Sequence, residues 1–395
     1  MAVGACYPRG FSAGIAACGM KRSGKSDLAL LVSDRPASAA GVFTTNRVVA
    51  APVTVSRAQV QHGTARAVVT NSGSANACTG AQGRDDAWTM VSEAAAALGV
   101  PASEVLVAST GVIGRALPIG DVVSGIHQAA AKLAGTNGRQ AANAIRTTDR
   151  FPKLAHADID LAGGRVRIGG MAKGAGMIRP DMATTLAQVT LDAEVPSATL
   201  RRMLRQAAAE SFNAISVDGC TSTNDCVFVL ANGASGISVD GSRQVRLLTG
   251  AVSELMLDLA KQVVRDGEGS TRVCVYTVTG ALSGPEARAA ARGVAENVLV
   301  KCALHGGDPN WGRILAALGA AGVHLDPDRV CVAVGGVPIV EAGAGVDGAH
   351  RAARHELSKQ EVEIEISLGL GGGEATVIAS DLSPDYVQFN SAVTT

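Results

Sequence analysis

Strand-like and helix-like segments alternate along this chain from end to end, and no stretch repeats at a fixed period. That alternation confines the chain to a layered α/β or α+β fold. A sheet face and the apolar stripe of a helix must each be buried against another element. Residues 66–71 read as a strand that runs into a Gly/Asn/Ser loop from Asn71 to Gly83. Asp85 is placed to cap a helix with Trp88, Val91, Ala95 and Leu98 on one face. Glu104 to Ala108 reads as a short buried strand that ends at a Ser109-Thr110-Gly111 turn. After Pro196, the spacing of Leu200, Met203, Leu204, Ala207 and Ala208 predicts an amphipathic helix. A second helix passes through Val252, Leu255, Met256, Leu259, Ala260 and Val263 and stops at Asp266-Gly267, where Gly267 suits a left-handed position. Residues 361–367 and 374–380 read as a hairpin. Strand order does not follow from the pattern.

Composition excludes several function classes. A chain of 395 residues, 47% of them hydrophobic, supports a sizeable core in one large domain or two smaller ones. Lys+Arg and Asp+Glu balance at 35 each, so nothing draws the chain toward nucleic acid or an anionic membrane. The densest basic cluster, Lys21, Arg22 and Lys25, reads as a solvated loop. Cys6, Cys18, Cys78, Cys220, Cys226, Cys274, Cys302 and Cys331 include no C-x-x-C pair, and no His-x-x-x-His joins them. Neither a metal site nor a disulfide framework is expected, and most of these thiols read as small buried hydrophobes in a reducing compartment. Met1 to Gly10 has no signal-peptide pattern, and no apolar stretch runs long enough to span a membrane. The expectation is a soluble cytoplasmic protein.

The unusual stretch lies in the middle. Residues 169–183 form a glycine-rich loop, and Thr184 to Val189 then reads as a strand that begins with threonine. The chain has no H-E-x-x-H. A threonine at a new N-terminus needs no histidine, because its own α-amine serves as base for its hydroxyl. Such an amine, with a pKa of roughly 7.7–8.0, is partly unprotonated near neutral pH. Making it requires breaking the Ala183–Thr184 bond, by attack of the Thr184 hydroxyl on the preceding carbonyl and hydrolysis of the ester. Upstream glycines permit the strained backbone this needs. Acyl transfer also needs donors aimed at an oxyanion, which Thr110 and Gly111 can offer. Read one at a time, Thr184 is a strand start, Thr110-Gly111 an ordinary turn, Lys173 a solvated lysine and Glu268 a surface carboxylate. Asp308-Pro309-Asn310-Trp311 reads as a turn and helix cap.

Taken in register, the segments point further. They are Pro8-Arg9-Gly10-Phe11, Val42-Phe43-Thr44-Thr45-Asn46, the run Asn71 to Gly80, Ser109 to Gly114, Thr147-Thr148-Asp149 with Pro152-Lys153, and Lys173 to Ile178 with Pro180 to Thr184. Ser222-Thr223-Asn224-Asp225, Asp266-Gly267-Glu268-Gly269 and Asp308 to Arg313 follow. Over nearly its whole length the chain resembles the ornithine acetyltransferase family, the bifunctional glutamate N-acetyltransferases.

The resemblance implies a helix–sheet–sheet–helix sandwich, similar to N-terminal-nucleophile hydrolases but with its own connectivity. It implies self-cleavage into an α chain (1–183) and a β chain (184–395) that stay associated, in an assembly of two of each. Thr184 is then the nucleophile, Thr110 and Gly111 form the oxyanion hole, and Thr147, Lys173, Thr184, Glu268, Asn390 and Thr395 bind substrate. The implied reaction moves acetyl from N-acetylornithine to glutamate without a cofactor, with Glu268 on a substrate ammonium and Lys173 on a carboxylate. Some members also take acetyl from acetyl-CoA, and no feature of the sequence decides that point. An amidohydrolase and an uncut, non-catalytic paralogue stay open as alternatives. Two departures bear on substrate choice: Cys220 and Cys226 flank the Ser222–Asp225 segment, and the tail reads Phe389 to Thr395 where relatives more often end in Tyr-Arg-Thr.

Overall fold

The computed structural model describes residues 1–21, 23–179 and 185–392. The first sheet is built from β1 (Phe11–Ala16), β2 (Leu28–Phe43), β3 (Thr64–Ser74), β4 (Val105–Val112), β5 (Lys153–Leu161), β6 (Gly164–Lys173) and β7 (Leu186–Leu191). β9 (Cys226–Ala231) joins it after β8 (Ile215–Ser216) has passed to a second sheet. The sixteen-residue β2 sets the layering. Its first half pairs with β1 and β3, and its second half pairs with β9. The register against β3 slips between Val32 and Ala37, as expected of a strand that bends at a bulge.

The sheet therefore folds over on itself. Ala29, Leu31, Val68 and Leu106 from one half share a core with Met171, Leu186, Phe228 and Leu230 from the other. The outer face of the first half carries Leu28, Leu30, Val69 and Val107 under α1 (Ala51–Gln59), α2 (Gly80–Leu98) and α3 (Ile119–Ala130), while α4 (Gly138–Ala144) adds to the inner core. The outer face of the second half carries Val166, Ile168, Val189 and Val229 under α5 (Ser197–Glu210) and α6 (Ser242–Arg265). The result is the helix–sheet–sheet–helix order.

The second sheet adds β10 (Val273–Ala281), β11 (Cys331–Val334), β12 (Val337–Glu341), β13 (Ala344–Gly345), β14 (Glu361–Ser367) and β15 (Gly373–Ser380) to β8. Val273 and Ile378 face the α5–α6 core. On its other side the sheet packs Tyr276, Val278 and Val377 with residues of α7 (Gly284–Ala295), α8 (Val298–His305), α9 (Trp311–Gly319) and α10 (His350–Glu356). α11 (Pro384–Ala392) closes the described chain. None of the described helices is long and apolar enough to cross a membrane.

Strand order holds a consequence for the middle of the chain. The first sheet runs β4-β3-β2-β9-β7-β6-β5, so β7 and β9, which follow residue 184, lie between β2 and β6, which precede it. β6 and β7 pair along six residues, from Ile168 opposite Leu191 to Lys173 opposite Leu186.

Several expectations change. The segments 361–367 and 374–380 are both strands but do not pair. β10 lies between them, parallel to β14 and antiparallel to β15. Their short link crosses the end of β10, with the amides of Leu368 and Leu370 bonded to the carbonyls of Thr279 and Gly280. Thr110 and Gly111 lie inside the end of β4 and are not in a turn beyond it. α2 begins at Gly80, before Asp85, and buries Ala87, Met90, Val91, Ala94 and Ala95; Trp88 points outward at 45% exposure because small residues take the closely packed side. Gly267 has no left-handed torsion. A β-carbon there would come 3.0 Å from the Val264 carbonyl, and the left-handed residue is Gly269, at φ +69°. Half of the eight cysteines are buried (Cys6, Cys18, Cys226, Cys274), the others are exposed, and all are free. Asn310 caps α9 as read from the sequence.

Candidate active site

The ends of both half-sheets meet at one cavity of about 1000 Å³. Thr110, Gly111, Thr147, Lys173, Glu268 and Asn390 all line it, so the fold brings together every sequence-predicted site residue that it describes. Ala183, Thr184 and Thr395 lie outside the described residues. The described chain stops at Arg179 and resumes at Thr185, and both Ile178 and Thr185 are in the cavity wall.

Lys173 ends β6 and is buried. Its Nζ donates to Thr147 Oγ1 at 2.8 Å and to Thr110 Oγ1 at 3.1 Å. Among the described residues this uses two of its three donors. Because the Thr110 oxygen accepts from a cation, its own O–H is left to donate, and it is polarised for that. Burial pushes the Lys173 ammonium below its ordinary pKa, and the carboxylates of Asp149, Asp225 and Glu268 oppose that in part. Gly111 beside it has φ +131°, and a β-carbon there would lie 2.4 Å from the backbone carbon of Gly73 on β3. Only glycine lets the two strand ends close this tightly.

Aspartates that the sequence reading gave no role hold this arrangement. Asp149 accepts from the amides of Thr147 (2.9 Å) and Gly174 (2.7 Å), tying the Thr147 loop to the end of β6. It also pairs with the fully buried Lys153, which reaches Asp266 at the end of α6; Asp266 in turn holds the Arg150 amide and guanidinium. Nearby lysines and hydrogen bonds keep the Asp149 carboxyl well below the usual carboxylate range in spite of burial. The only sequence signal for Asp149 was its place in the Thr147–Asp149 segment.

Glu268 also lines the cavity. Its amide donates to Ala175 O at 2.9 Å, and its Oε2 accepts from Asn390 Nδ2 at 3.0 Å. Gly176 is needed for this contact, since a β-carbon would sit 2.4 Å from that carboxylate. Asp218 accepts from the amides of Met177 (2.6 Å), Ile178 (2.9 Å) and Cys220 (3.0 Å). It thereby holds Met177 at φ +56°, a left-handed torsion that costs a side-chain-bearing residue roughly 1–2 kcal/mol. The unusual backbone ahead of residue 184 thus falls partly on a methionine and not on glycines alone.

Asn224 donates to the carbonyls of Ala75 (2.6 Å) and Ser109 (2.8 Å), fixing the peptide that carries the Thr110 amide. Asp225 follows it, 4% exposed, in the cavity wall. A charged residue abutting the wholly apolar strand Cys226–Ala231 was the signal that could have marked it. Among the described residues no group of three or more His, Cys, Asp or Glu side chains could hold a metal ion. The site offers hydroxyls, amides and the buried Lys173 ammonium, a set suited to stabilising an oxyanion and binding an amino acid.

Residues 12–395 match the ArgJ family. The arginine biosynthesis bifunctional protein ArgJ of Symbiobacterium thermophilum is 48% identical over 100% of this chain and 99% of its own length. That of Nitratidesulfovibrio vulgaris is 45% identical over 97% of this chain and 98% of its own. The crystal structure of the Bacillus halodurans ArgJ protein, 34% identical, aligns at a TM-score of 0.51 over 53% of this chain and 100% of that one.

Proposed function

Because the chain belongs to the ArgJ family, we propose that it is the acyltransferase of arginine biosynthesis that moves acetyl from N-acetylornithine to glutamate, through an acetyl ester on Thr184. The observation that carries the reading is the Lys173–Thr110 contact at 3.1 Å, in the wall of the cavity into which the chain resumes at Thr185.

The hydroxyl of Thr184 first attacks the Ala183 carbonyl, and hydrolysis of the ester leaves a free α-amine. That amine then takes the proton of its own hydroxyl as Oγ attacks the acetyl carbonyl of acetylornithine. The Thr110 O–H and the Gly111 amide receive the oxyanion. A pre-placed donor of this kind contributes about 10²–10³ in rate. Ornithine leaves, and the glutamate amine takes the acetyl group. Glu268, backed by Asn390, receives the substrate ammonium, and Lys173 with Thr147 receives a carboxylate; Thr395 completes the set as the family pattern has it. The chemistry needs no cofactor, and whether acetyl-CoA also donates acetyl is read from the parallel arm of the test below.

Interleaved strands support an α chain (1–183) and a β chain (184–395) that stay together after the cut; two of each in the assembly is what the family resemblance implies. The solved relative adds support: its whole chain answers to 53% of this one, and the segment from Thr184 to Thr395 is 212 of 395 residues, about 54%. The test supplies purified protein with acetylornithine and glutamate, with acetyl-CoA in a parallel arm, and follows acetylglutamate and free acetate. Acetylglutamate formed in step with ornithine is the expected result. Free acetate without acetylglutamate would make the protein a hydrolase and overturn the reading.

A further inference from the structure

The link between β1 and β2 brings a second positive site to the cavity. Asp27, buried one residue before β2, accepts from the amides of Cys18 (2.6 Å), Met20 (2.7 Å) and Lys21 (3.2 Å), so the link folds around its carboxylate. Met20 is thereby set against Gly73, where a β-carbon would come 2.9 Å from that of Met20, and Gly73 is the residue on which Gly111 closes. Lys21, part of a solvated loop by its sequence, is instead partly buried in the cavity wall. Its Nζ donates to the carbonyls of Ala144 (2.8 Å) and Ser26 (2.9 Å), which leaves one donor unused among the described residues. Ala144 ends α4, where the last carbonyls lack partners inside the helix and favour a cation. Burial brings the Lys21 ammonium down to about 8, so it is still mostly charged at neutral pH. Arg115, beyond the end of β4, lines the same cavity. Its Nη1 donates to Met20 O at 3.2 Å, so the guanidinium rests on the peptide that leads into Lys21, and its own carbonyl accepts from Ser74 Oγ at 2.7 Å. Among the described residues neither cation has a carboxylate within ion-pair distance, and most of the guanidinium donors are unused.

We infer that Arg115 and Lys21 form a subsite for the side-chain carboxylate of the acetyl acceptor, and so select glutamate over uncharged amino acids of the same shape. The inference rests on the proposed transfer from acetylornithine to glutamate. The two substrates differ in the charge at the end of the side chain: a cation on ornithine, an anion on glutamate. A carboxylate common to both has Lys173 with Thr147, and the ornithine ammonium has Glu268. The second carboxylate of glutamate cannot share the place beside Glu268, because like charges repel there. Among the described residues of the cavity wall the remaining cations are Lys21 and Arg115. The planar guanidinium suits a carboxylate, which it can bind through two parallel N–H groups, and Lys21 adds charge beside it. The same pair repels the ornithine ammonium, so one cavity sorts its two substrates by charge at separate places. Met20 and Gly73 seat this pair next to Thr110 and Gly111, within the same cavity that holds the acetyl group in the proposed reaction.

The experiment uses the full chain and measures KM for glutamate and for acetylornithine separately, then kcat/KM with glutamine as acceptor, which keeps the shape of glutamate and loses its charge. Arg115 is exposed, so Arg115→Met is expected to fold and melt as the parent does. Its KM for glutamate should rise about tenfold, with the KM for acetylornithine within about twofold, as loss of one charged hydrogen bond to one substrate requires. Its preference for glutamate over glutamine should fall by a similar factor, and Arg115→Lys should recover most of that preference. Lys21→Met should move the glutamate KM in the same direction. A glutamate KM that stays put in Arg115→Met, an equal rise in both KM values, or a parent that takes glutamine as readily as glutamate would overturn the inference. An equal rise is what a shifted Met20 loop would give, since that loop packs beside the donors that serve both substrates. The two readings fail differently. A parent that yields free acetate and no acetylglutamate ends the proposed transfer and this subsite with it, whereas a parent that makes acetylglutamate beside an Arg115→Met variant of unchanged glutamate KM ends the subsite alone.

Discussion

Asp381 and Asp225 are both buried at sheet ends, at 3% and 4% exposure, and the protein treats them oppositely. Asp381, just after β15, accepts from the Thr271 amide (2.8 Å) and hydroxyl (2.5 Å), the Arg272 amide (3.0 Å) and His305 (2.8 Å). Those donors outweigh burial and hold its carboxyl below the usual range. Asp225, just before β9, has Ser222 and an oxygen with no partner, and burial wins. The donor set, not depth, decides whether a buried carboxyl is structure or chemistry. Around Asp381 the donors are complete, and around Asp225 one carboxylate oxygen at the cavity is left without a partner.

The largest expected effect comes from turning a completed cluster into an incomplete one. Lys153→Met strands Asp149 and Asp266 as buried carboxylates without their shared cation. It should destabilise the protein by about 3–5 kcal/mol in urea unfolding; a loss under about 1 kcal/mol would place the cluster with weak surface pairs. Next is the incomplete side. Thr110→Val keeps the strand and removes only the hydroxyl, so kcat should fall roughly 10²–10³-fold with little change in KM. A fall of less than about threefold would remove Thr110 from the oxyanion site.

Glu268→Gln keeps an acceptor for Asn390 but loses the charge. The KM for acetylornithine should rise about tenfold, the worth of one charged hydrogen bond, with kcat within about threefold. An unchanged KM discards its role.

The smallest effect reads the two aspartates against each other, in uncut Thr184→Ala protein. Asp381 has a depressed folded pKa, so its stabilisation is present above the unfolded value of about 3.9 and is lost as pH falls through the folded value. Asp225 has a raised folded pKa. The folded chain then binds more protons than the unfolded one, and stability falls as pH rises above about 3.9. Asp381→Asn should therefore flatten the acid loss of stability, and Asp225→Asn should raise stability near neutrality, each slope bounded by about 1.4 kcal/mol per pH unit. Equal signs for both variants would break the comparison.

Helices whose own side chains set the buried face were legible in the sequence: Leu200, Met203, Leu204, Ala207 and Ala208 of α5 are all buried as their spacing requires. The β14–β15 relation was not, because periodicity tells which face of a strand is buried and not which strand lies beside it, and β10 comes between them from nearly a hundred residues earlier. The site divides in the same way. Thr110, Lys173 and Glu268 lie in motif segments and meet in the cavity. Asp218 and Asp149 act through backbone amides that only the folded loops bring to them. The orphan oxygen of Asp225 is a property of its neighbours, so no reading of its own segment reveals it.

In the proposed mechanism one broken bond supplies both base and nucleophile. Intact mass of purified protein, beside Thr184→Ala, tests it most directly. The parent should give two fragments of 183 and 212 residues, and Thr184→Ala one inactive chain of 395 residues. A full-length parent that turns over acetylornithine, or an active Thr184→Ala, would contradict it.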